Sequence, residues 1–327
     1  MEMARLGRTG LKVSKICLGT MTYGDPKWRD WVLTQEASLP FFRAAIEAGI
    51  NFFDTADIYS VGASEIVTGK ALKEYAASRE EVVIATKLFN PMGPSPNQRG
   101  LSRKWVMTAI DNSLKRLQTD YVDLYQIHRF DHDTPIEETV EALHDVVKAG
   151  KARYVGASSM HAWQFARFLK AAAAMNLTPF VSMQNYYNLV YREEEREMIP
   201  LCIAEGIGVI PWSPLARGFL GRKAAGALDK QTTRAKSDNV LDMRFGETDL
   251  EILARVEAIA GRLGVSNAQV ALAWLMQRPG VTAPIIGASK PGHLADAVGA
   301  AKLKLTAEDC ASLEQPYRPR AVAGMLR

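Results

Sequence analysis

Cysteine is scarce: Cys17, Cys202 and Cys310 stand far apart in a chain of 327 residues. No Cys-x-x-Cys pair and no Cys/His ligand spacing occurs. A disulfide framework, a redox dithiol and a zinc site are therefore not expected, and no metal is predicted. The three thiols read as reduced side chains of a cytoplasmic protein. No apolar run approaches the roughly 18 residues that span a bilayer. The stretch Met1–Lys15 has no apolar segment of the kind a signal peptide carries. Nor is charge of one sign concentrated. The 40 Lys and Arg residues against 36 Asp and Glu leave +4, with no basic run to mark a nucleic-acid surface. A small-molecule substrate is the expected partner, with no nucleic acid and no membrane. Internal repeats and low-complexity linkers are also lacking, so residues 1–327 read as a single domain.

What the chain does have is alternation. Short apolar runs at Ile16–Leu18, Asn51–Phe53, Val82–Ala85, Val122–Ile127, Tyr154–Gly156, Val181–Met183, Gly208–Ile210 and Ala283–Ile286 read as buried strands. Helical patterns lie between them at Leu39–Ala48, Ser64–Tyr75, Arg103–Leu117, Ile136–Lys148, His161–Met175, Arg192–Glu205 and Asp249–Leu263. Pro135 before the fourth pattern and Gly150 after it mark a helix start and stop. Strands alternating with helices imply a parallel sheet, open or closed. The count of eight favours closure. So does the segment Gly19-Thr20-Met21-Thr22-Tyr23-Gly24, which lacks the middle glycine of a dinucleotide-binding fingerprint. The fold predicted is an α/β (β/α)8 TIM barrel. It is preceded by a β-hairpin, Arg5–Leu6 with Leu11–Val13, and carries an extra helix, Ser266–Gln277, before the eighth strand. Long loops, Pro91–Gly100 and Gly218–Phe245, belong at the rim. A short helix follows Leu305, and Gln315–Arg327 shows no periodicity.

Barrel active sites sit at the carboxyl ends of the strands. Asp54 ends the second run, with Tyr59 just beyond; Lys87 ends the third and His128 the fourth. Each alone has an ordinary explanation: a helix cap, a snorkelling lysine, a satisfied core histidine, an interfacial aromatic. Together they make a chemical set. An aspartate keeps a lysine charged, and a charged lysine is expected to lower the pKa of a nearby phenol. A histidine in reach can orient a carbonyl oxygen. That suits a reaction placing negative charge on a carbonyl oxygen.

The motifs Asn51-Phe52-Phe53-Asp54-Thr55-Ala56-Asp57-Ile58-Tyr59, Ala85-Thr86-Lys87, and Tyr121 through His128 occur in that order. They are followed by Gly156-Ala157-Ser158-Ser159, Val209 through Gly218, and Ile285-Ile286-Gly287-Ala288-Ser289. In this arrangement the sequence resembles the aldo-keto reductases over almost its whole length. The nearest likeness is to bacterial members of the branch that includes potassium-channel β-subunits. The resemblance implies that Asp54, Tyr59, Lys87 and His128 form the catalytic tetrad. It implies a nicotinamide coenzyme held by Thr20, Met21, Asp54, Ser158, Ser159 and Gln184, with Trp212 stacking on the nicotinamide. Ser213, Pro214, Leu215, Ala216 and Gly218 would line the pyrophosphate, and Lys223 and Arg234 would close over it. Gly287, Ser289, His293 and Asp296 would face the adenosine end. The chain departs from many members in having His293 where they have Arg or Gln, Asp296 for Glu, Ala297 for Asn and Ser159 for Asn.

The expected activity is reversible reduction of an aldehyde or ketone to an alcohol. Substrate walls are predicted at Tyr23, Trp28, Trp31, Tyr59, Phe89, His128 and Arg129, with Met21, Phe130 and Ser159 as further candidates. Two other readings compete. One is a lyase that forms a Schiff base on Lys87. The other is a nucleotide-sensing partner protein with slow turnover. The expected coenzyme is NADPH rather than NADH, because Ser289 and Lys290 offer a hydroxyl donor and a point charge to a 2′-phosphate. One such contact, about 1.4 kcal/mol, makes NADPH bind about tenfold more tightly than NADH. Titration of both coenzymes checks this, and equal dissociation constants would remove the role given to Ser289 and Lys290.

Overall fold

A computed structural model describes residues 1–228 and 245–323. Strand β1 (Met3–Arg5) pairs antiparallel with β2 (Lys12–Ser14), Ala4 lying opposite Val13. This ribbon closes the amino-terminal end of a barrel. Leu6 and Val13 pack into a cluster with Cys17, Phe52, Val83, Leu124 and Val181, and Arg8 N donates to Gly206 O at 2.8 Å. The eight barrel strands are β3 (Cys17–Gly19), β4 (Phe52–Asp54), β5 (Val83–Leu88), β6 (Val122–Ile127), β7 (Ala152–Ser158), β8 (Phe180–Gln184), β9 (Gly208–Val209) and β10 (Ile285–Ile286). They follow one another in chain order around the sheet, with β10 beside β3, and every pairing is parallel. The seam between β9 and β10 is closed by Thr282 N to Val209 O at 2.8 Å and Ile285 N to Pro211 O at 2.8 Å. The runs seen in the sequence are nearly all buried, as a parallel sheet covered on its outer face requires.

Helices α1 (Gln35–Glu47), α2 (Ala63–Tyr75), α3 (Arg103–Leu117), α4 (Ile136–Lys148), α5 (Ala162–Ala174) and α6 (Met198–Glu205) lie between successive strands. After β9 come α7 (Glu247–Leu263) and α8 (Asn267–Met276), the extra helix. α9 (Pro291–Ala300) and α10 (Ala307–Glu314) follow β10. The main core lies between barrel and helices, and a second cluster joins α7, α8 and α10 through Val256, Trp274 and Leu313. No helix among the described residues is long and apolar enough to cross a membrane.

Three helices differ from the sequence reading. α1 begins at Gln35 rather than Leu39, because Thr34 Oγ1 accepts from Ala37 N at 3.3 Å and nucleates an earlier turn. Pro40 is therefore inside the helix, costing it one donor. The single helix predicted over Arg192–Glu205 is instead a 3-10 turn, Glu193–Glu195, and then α6. Pro200 explains the break, since proline fits the first turn of a helix but not its interior. α9 was not foreseen; Pro291 at its first position starts it after the eighth strand. The aperiodic tail is fixed by side chains. Tyr317 OH donates to Glu193 Oε1 at 2.6 Å, and Arg320 Nη2 lies 2.5 Å from Asp249 Oδ1.

Two helical glycines differ in what surrounds them. A Cβ on Gly69 in α2 would lie 2.3 Å from Leu117 O, backbone of the α3 end, while one on exposed Gly261 in α7 would meet nothing within 4 Å. Gly69→Ala should push α2 off α3 and destabilise by about 1–3 kcal/mol. Gly261→Ala should stabilise by about 0.5–1 kcal/mol through helix propensity. Thermal or urea denaturation of both variants checks the pair, which should move in opposite directions from the parent.

Candidate active site

Strand register brings the polar strand ends together. Asp54 of β4 pairs with Ala85, and Lys87 of β5 pairs with Gln126 of β6. The Lys87 side chain has no exposure. Its ammonium donates to Asp54 Oδ1 at 2.6 Å, Thr55 O at 2.8 Å and Tyr59 OH at 3.2 Å, which uses all three of its donors. Asp54 Oδ2 accepts from Gln184 Nε2 at 2.9 Å and Gln126 Nε2 at 3.1 Å. Tyr59 lies on a 3-10 turn whose next residues, Ser60, Val61 and Gly62, have left-handed backbone. The turn reverses the chain and swings the ring back over the barrel. The ring meets His128 edge-on, at 5.8 Å between centroids and 83° between planes. Asn90 Nδ2 lies 3.2 Å from His128 Nδ1. An amide nitrogen can only donate, so Nδ1 accepts and the ring proton is on Nε2.

Electrostatics distinguish the four groups. Desolvation works against the Lys87 ammonium, but Asp54 and Tyr59 outweigh it and raise its pKa. Burial drives His128 well below its ordinary value, with Arg129 and Lys87 adding to the effect, so the imidazole is neutral. The phenol does not behave as the sequence suggested. Burial raises the Tyr59 pKa; Lys87 opposes this and Asp54 partly cancels Lys87. Burial is the largest of these effects, so the net shift is upward.

A second set of residues lines the rim from β7 to β10. Ser158 Oγ donates to Gln184 O at 2.8 Å, and Ser159 Oγ accepts from Trp212 Nε1 at 3.1 Å. The Trp212 ring lies 4.7 Å from that of Tyr186, inclined at 32°. Ser213, Ala216, Arg217 and Gly218 all have positive φ. Such a run turns backbone N–H groups into a concavity suited to an anion. Pro214 is buried and Leu215 half-buried between them. Gly287 is exposed, and a Cβ there would crowd Thr22 Oγ1 at 3.2 Å. Ser289, Lys290 and His293 are exposed, and His293 Nδ1 accepts from Ser289 N at 3.3 Å. Lys223 is exposed beyond Gly218. Arg234 lies outside the described residues.

Several expected contacts are engaged elsewhere. Thr20 is fully buried with its hydroxyl near Asp54 O and Ser64 Oγ, while Met21 is half-buried. Gln184 Nε2 is committed to Asp54 and Gln126, while its Oε1 has no hydrogen-bond partner among the described residues. Asp296 Oδ1 accepts from Ser266 Oγ at 2.8 Å, beside the start of α8. Tyr23 is no pocket wall: it is fully buried, stacks on Phe41 and donates to Ala288 O at 2.8 Å. Of the other predicted walls, Trp28 lies 6.5 Å from the Tyr59 ring, and Trp31 is mostly buried against Trp28. Phe89 and Arg129 are half-buried beside His128.

The aldo/keto reductase family matches residues 15–318. This chain belongs to that family. It is 47% identical to versiconal hemiacetal acetate reductase of Aspergillus parasiticus, covering 98% of each chain. It is 44% identical to an aldo-keto reductase of Alternaria alternata, over 98% of this chain and 92% of that one. It is 40% identical to a Saccharomyces cerevisiae protein provisionally named an aryl-alcohol dehydrogenase, over 98% of each. These relatives are fungal and carry reductase and alcohol-dehydrogenase names. They replace the bacterial, channel-subunit likeness that the motifs suggested.

As an aldo/keto reductase the chain holds its lysine in a way that disfavours the lyase reading. A Schiff base needs a neutral amine with room for a carbonyl, whereas Lys87 is buried with its donors saturated. Asn90 and Gln126 were missed by the sequence reading. Gln126 was detectable as a polar residue inside an apolar strand; Asn90 carried no such signal. Lys87→Met should strand Asp54 in the core, costing about 3–5 kcal/mol. The same change should slow turnover by roughly two decades. Asp54→Asn added to it should recover much of the stability and none of the rate. Denaturation and steady-state kinetics on both variants check this; a near-parental rate in folded Lys87→Met makes Lys87 purely structural.

Proposed function

We propose that this aldo/keto reductase converts an aldehyde or ketone to an alcohol, with NADPH as hydride donor and Tyr59 as proton donor. The observation that carries the reading is the placement of the Tyr59 hydroxyl 3.2 Å from a saturated, charged lysine, its ring edge-on to a neutral histidine. Carbonyl reduction is also in keeping with the reductase names of the relatives.

The residues present fit a dinucleotide. Left-handed backbone at Ser213 and at Ala216–Gly218 would curve the chain around a pyrophosphate, and Gly287 has no side chain to stand in its way. Ser289 and Lys290 stand exposed where a 2′-phosphate would be met. Trp212, fixed by Ser159 and backed by Tyr186, presents a ring for a nicotinamide to stack on. Ser158, Ser159 and Gln184 Oε1 would hold its carboxamide. Bound there, the coenzyme supplies hydride to the carbonyl carbon.

The chain's own residues manage the oxygen. His128 carries its proton on Nε2 and, neutral, orients the carbonyl oxygen by donating to it. Tyr59 gives up its hydroxyl proton as negative charge grows on that oxygen. Lys87, 3.2 Å away, stabilises the phenolate left behind. Asp54 keeps Lys87 charged for this purpose. In the reverse direction the same phenolate accepts the alcohol proton. Trp28 beside Tyr59 and half-buried Phe89 give the pocket aromatic walls. Together with the alcohol-dehydrogenase name of one relative, they favour an aromatic carbonyl substrate.

Tyr59→Phe keeps the ring and removes the donor. It should fold, bind NADPH as the parent does, and reduce aldehydes and ketones more slowly by roughly 10²-fold or more. A pH profile separates the two candidate donors. With the phenol pKa raised, Tyr59 stays protonated through neutral pH, so the reduction rate should hold from about pH 6 to 9. With the imidazole pKa depressed, a His128 donor would instead give a rate climbing steadily as pH falls. Parental rates in Tyr59→Phe, or that acid climb, would transfer the proton-donor role to His128.

A further inference from the structure

The candidate site contains one positive charge that the chemistry above does not use. Asp54 and Lys87 form an ion pair, Tyr59 is a raised phenol and His128 is neutral, so these four sum to zero. Arg129 follows His128 directly, half-buried. Its Nη1 donates to His128 O at 2.8 Å, and among the described residues the guanidinium has no other hydrogen bond and no carboxylate partner. The nearest acid in sequence is taken: Asp131 accepts from Leu101 N at 2.7 Å and Thr134 Oγ1 at 2.8 Å. The charge of Arg129 acts on both Tyr59 and His128. An arginine half out of water next to His128, with donors that no other described residue takes up, gains a charge-assisted partner when an anion arrives.

That anion is not a coenzyme phosphate. Arg129 follows β6, which lies across the ring from β10, whose outgoing loop carries Gly287, Ser289 and Lys290. The left-handed turns at Ser213 and Ala216–Gly218 follow β9, next to β10. Across the barrel from them, Arg129 belongs to the substrate side with Trp28 and Phe89. A planar guanidinium with free N–H groups matches a carboxylate in two-point contact.

We propose that Arg129 recognises a carboxylate on the substrate, so that this enzyme prefers aromatic aldehydes or ketones carrying a carboxylate away from the carbonyl. The proposal rests on the carbonyl-reductase reading above and assigns Arg129 to specificity, not to the proton transfer.

The test compares 4-carboxybenzaldehyde with methyl 4-formylbenzoate, the same ring without the charge, at saturating NADPH. The parent should favour the carboxylate in kcat/KM by about tenfold or more, mainly through KM. Arg129→Met should erase that preference, the acid losing about tenfold or more in kcat/KM relative to the ester, mainly through KM, and Arg129→Lys should recover part of the ratio. No preference in the parent, or equal losses on both substrates in Arg129→Met, overturns the proposal. Binding is read separately from turnover by titrating benzoate, benzamide and phenyl phosphate into the NADP+ complex, with tryptophan fluorescence as signal. Benzoate binding more tightly than benzamide, with the difference lost in Arg129→Met, supports carboxylate recognition even if neither aldehyde is reduced. That last outcome would count against the reductase reading alone. Benzoate and benzamide binding alike, or phenyl phosphate binding more tightly than benzoate, overturns the carboxylate assignment.

Discussion

Everything at the carboxyl end of the barrel is arranged around a lysine that has no contact with water. A fully buried ammonium is tolerated only when its donors are satisfied and its charge is matched. Lys87 meets both conditions through Asp54, Thr55 and Tyr59. Asp54 in turn needs Gln126 and Gln184, so groups from β4, β5, β6 and β8 are tied to one charge. Lys87 and Gln126 share one level of the β5–β6 register, and slipping either strand by one residue would turn its side chain away from the interior. The pair therefore constrains the closure of the sheet as well as the phenol it touches.

The barrel was legible in the sequence because buried parallel strands are continuous apolar runs separated by amphipathic segments, and eight of them were visible. Glycine and proline punctuation marked α4 correctly, whereas the starts of α1 and α6 differ from those read from the helical period. In α1 the Thr34 cap decided the start; in α6 the proline decided it, and the helical period alone could not tell these cases apart. The polar strand ends were legible for the same reason: fold rules say where they point. Tyr23 illustrates the limit. It lies near the rim in sequence, but its hydroxyl finds Ala288 O, a partner 265 residues away that no local pattern reveals. Asn90 and the Asp296–Ser266 bond were hidden likewise. The direction of the Tyr59 shift depended on burial, which spacing cannot report.

The two halves of the rim use different materials. From β4 to β6 the site is made of side chains with fixed charges and few degrees of freedom. From β9 to β10 it is made largely of backbone, with left-handed turns at Ser213 and Ala216–Gly218 and the bare Gly287. Backbone N–H groups accept no protons and titrate nowhere, which suits holding a phosphate. Side chains with opposed burial and charge suit moving a proton.

The seam of the barrel has a consequence for how the chain comes to be folded. β3 and β10 are neighbours in the sheet, Cys17 beside Ile285, but lie near opposite ends of the chain. Ribosomes deliver about 5–20 residues per second. The first barrel strand thus waits many seconds with an open edge before its partner exists. β9 waits too, since α7 and α8 must emerge before the segment that bonds to it. Ring closure is a late, long-range event, and until then two apolar strand edges are available to other chains. Yield in a crowded cell is set by how well those two edges are kept apart from their neighbours during that interval.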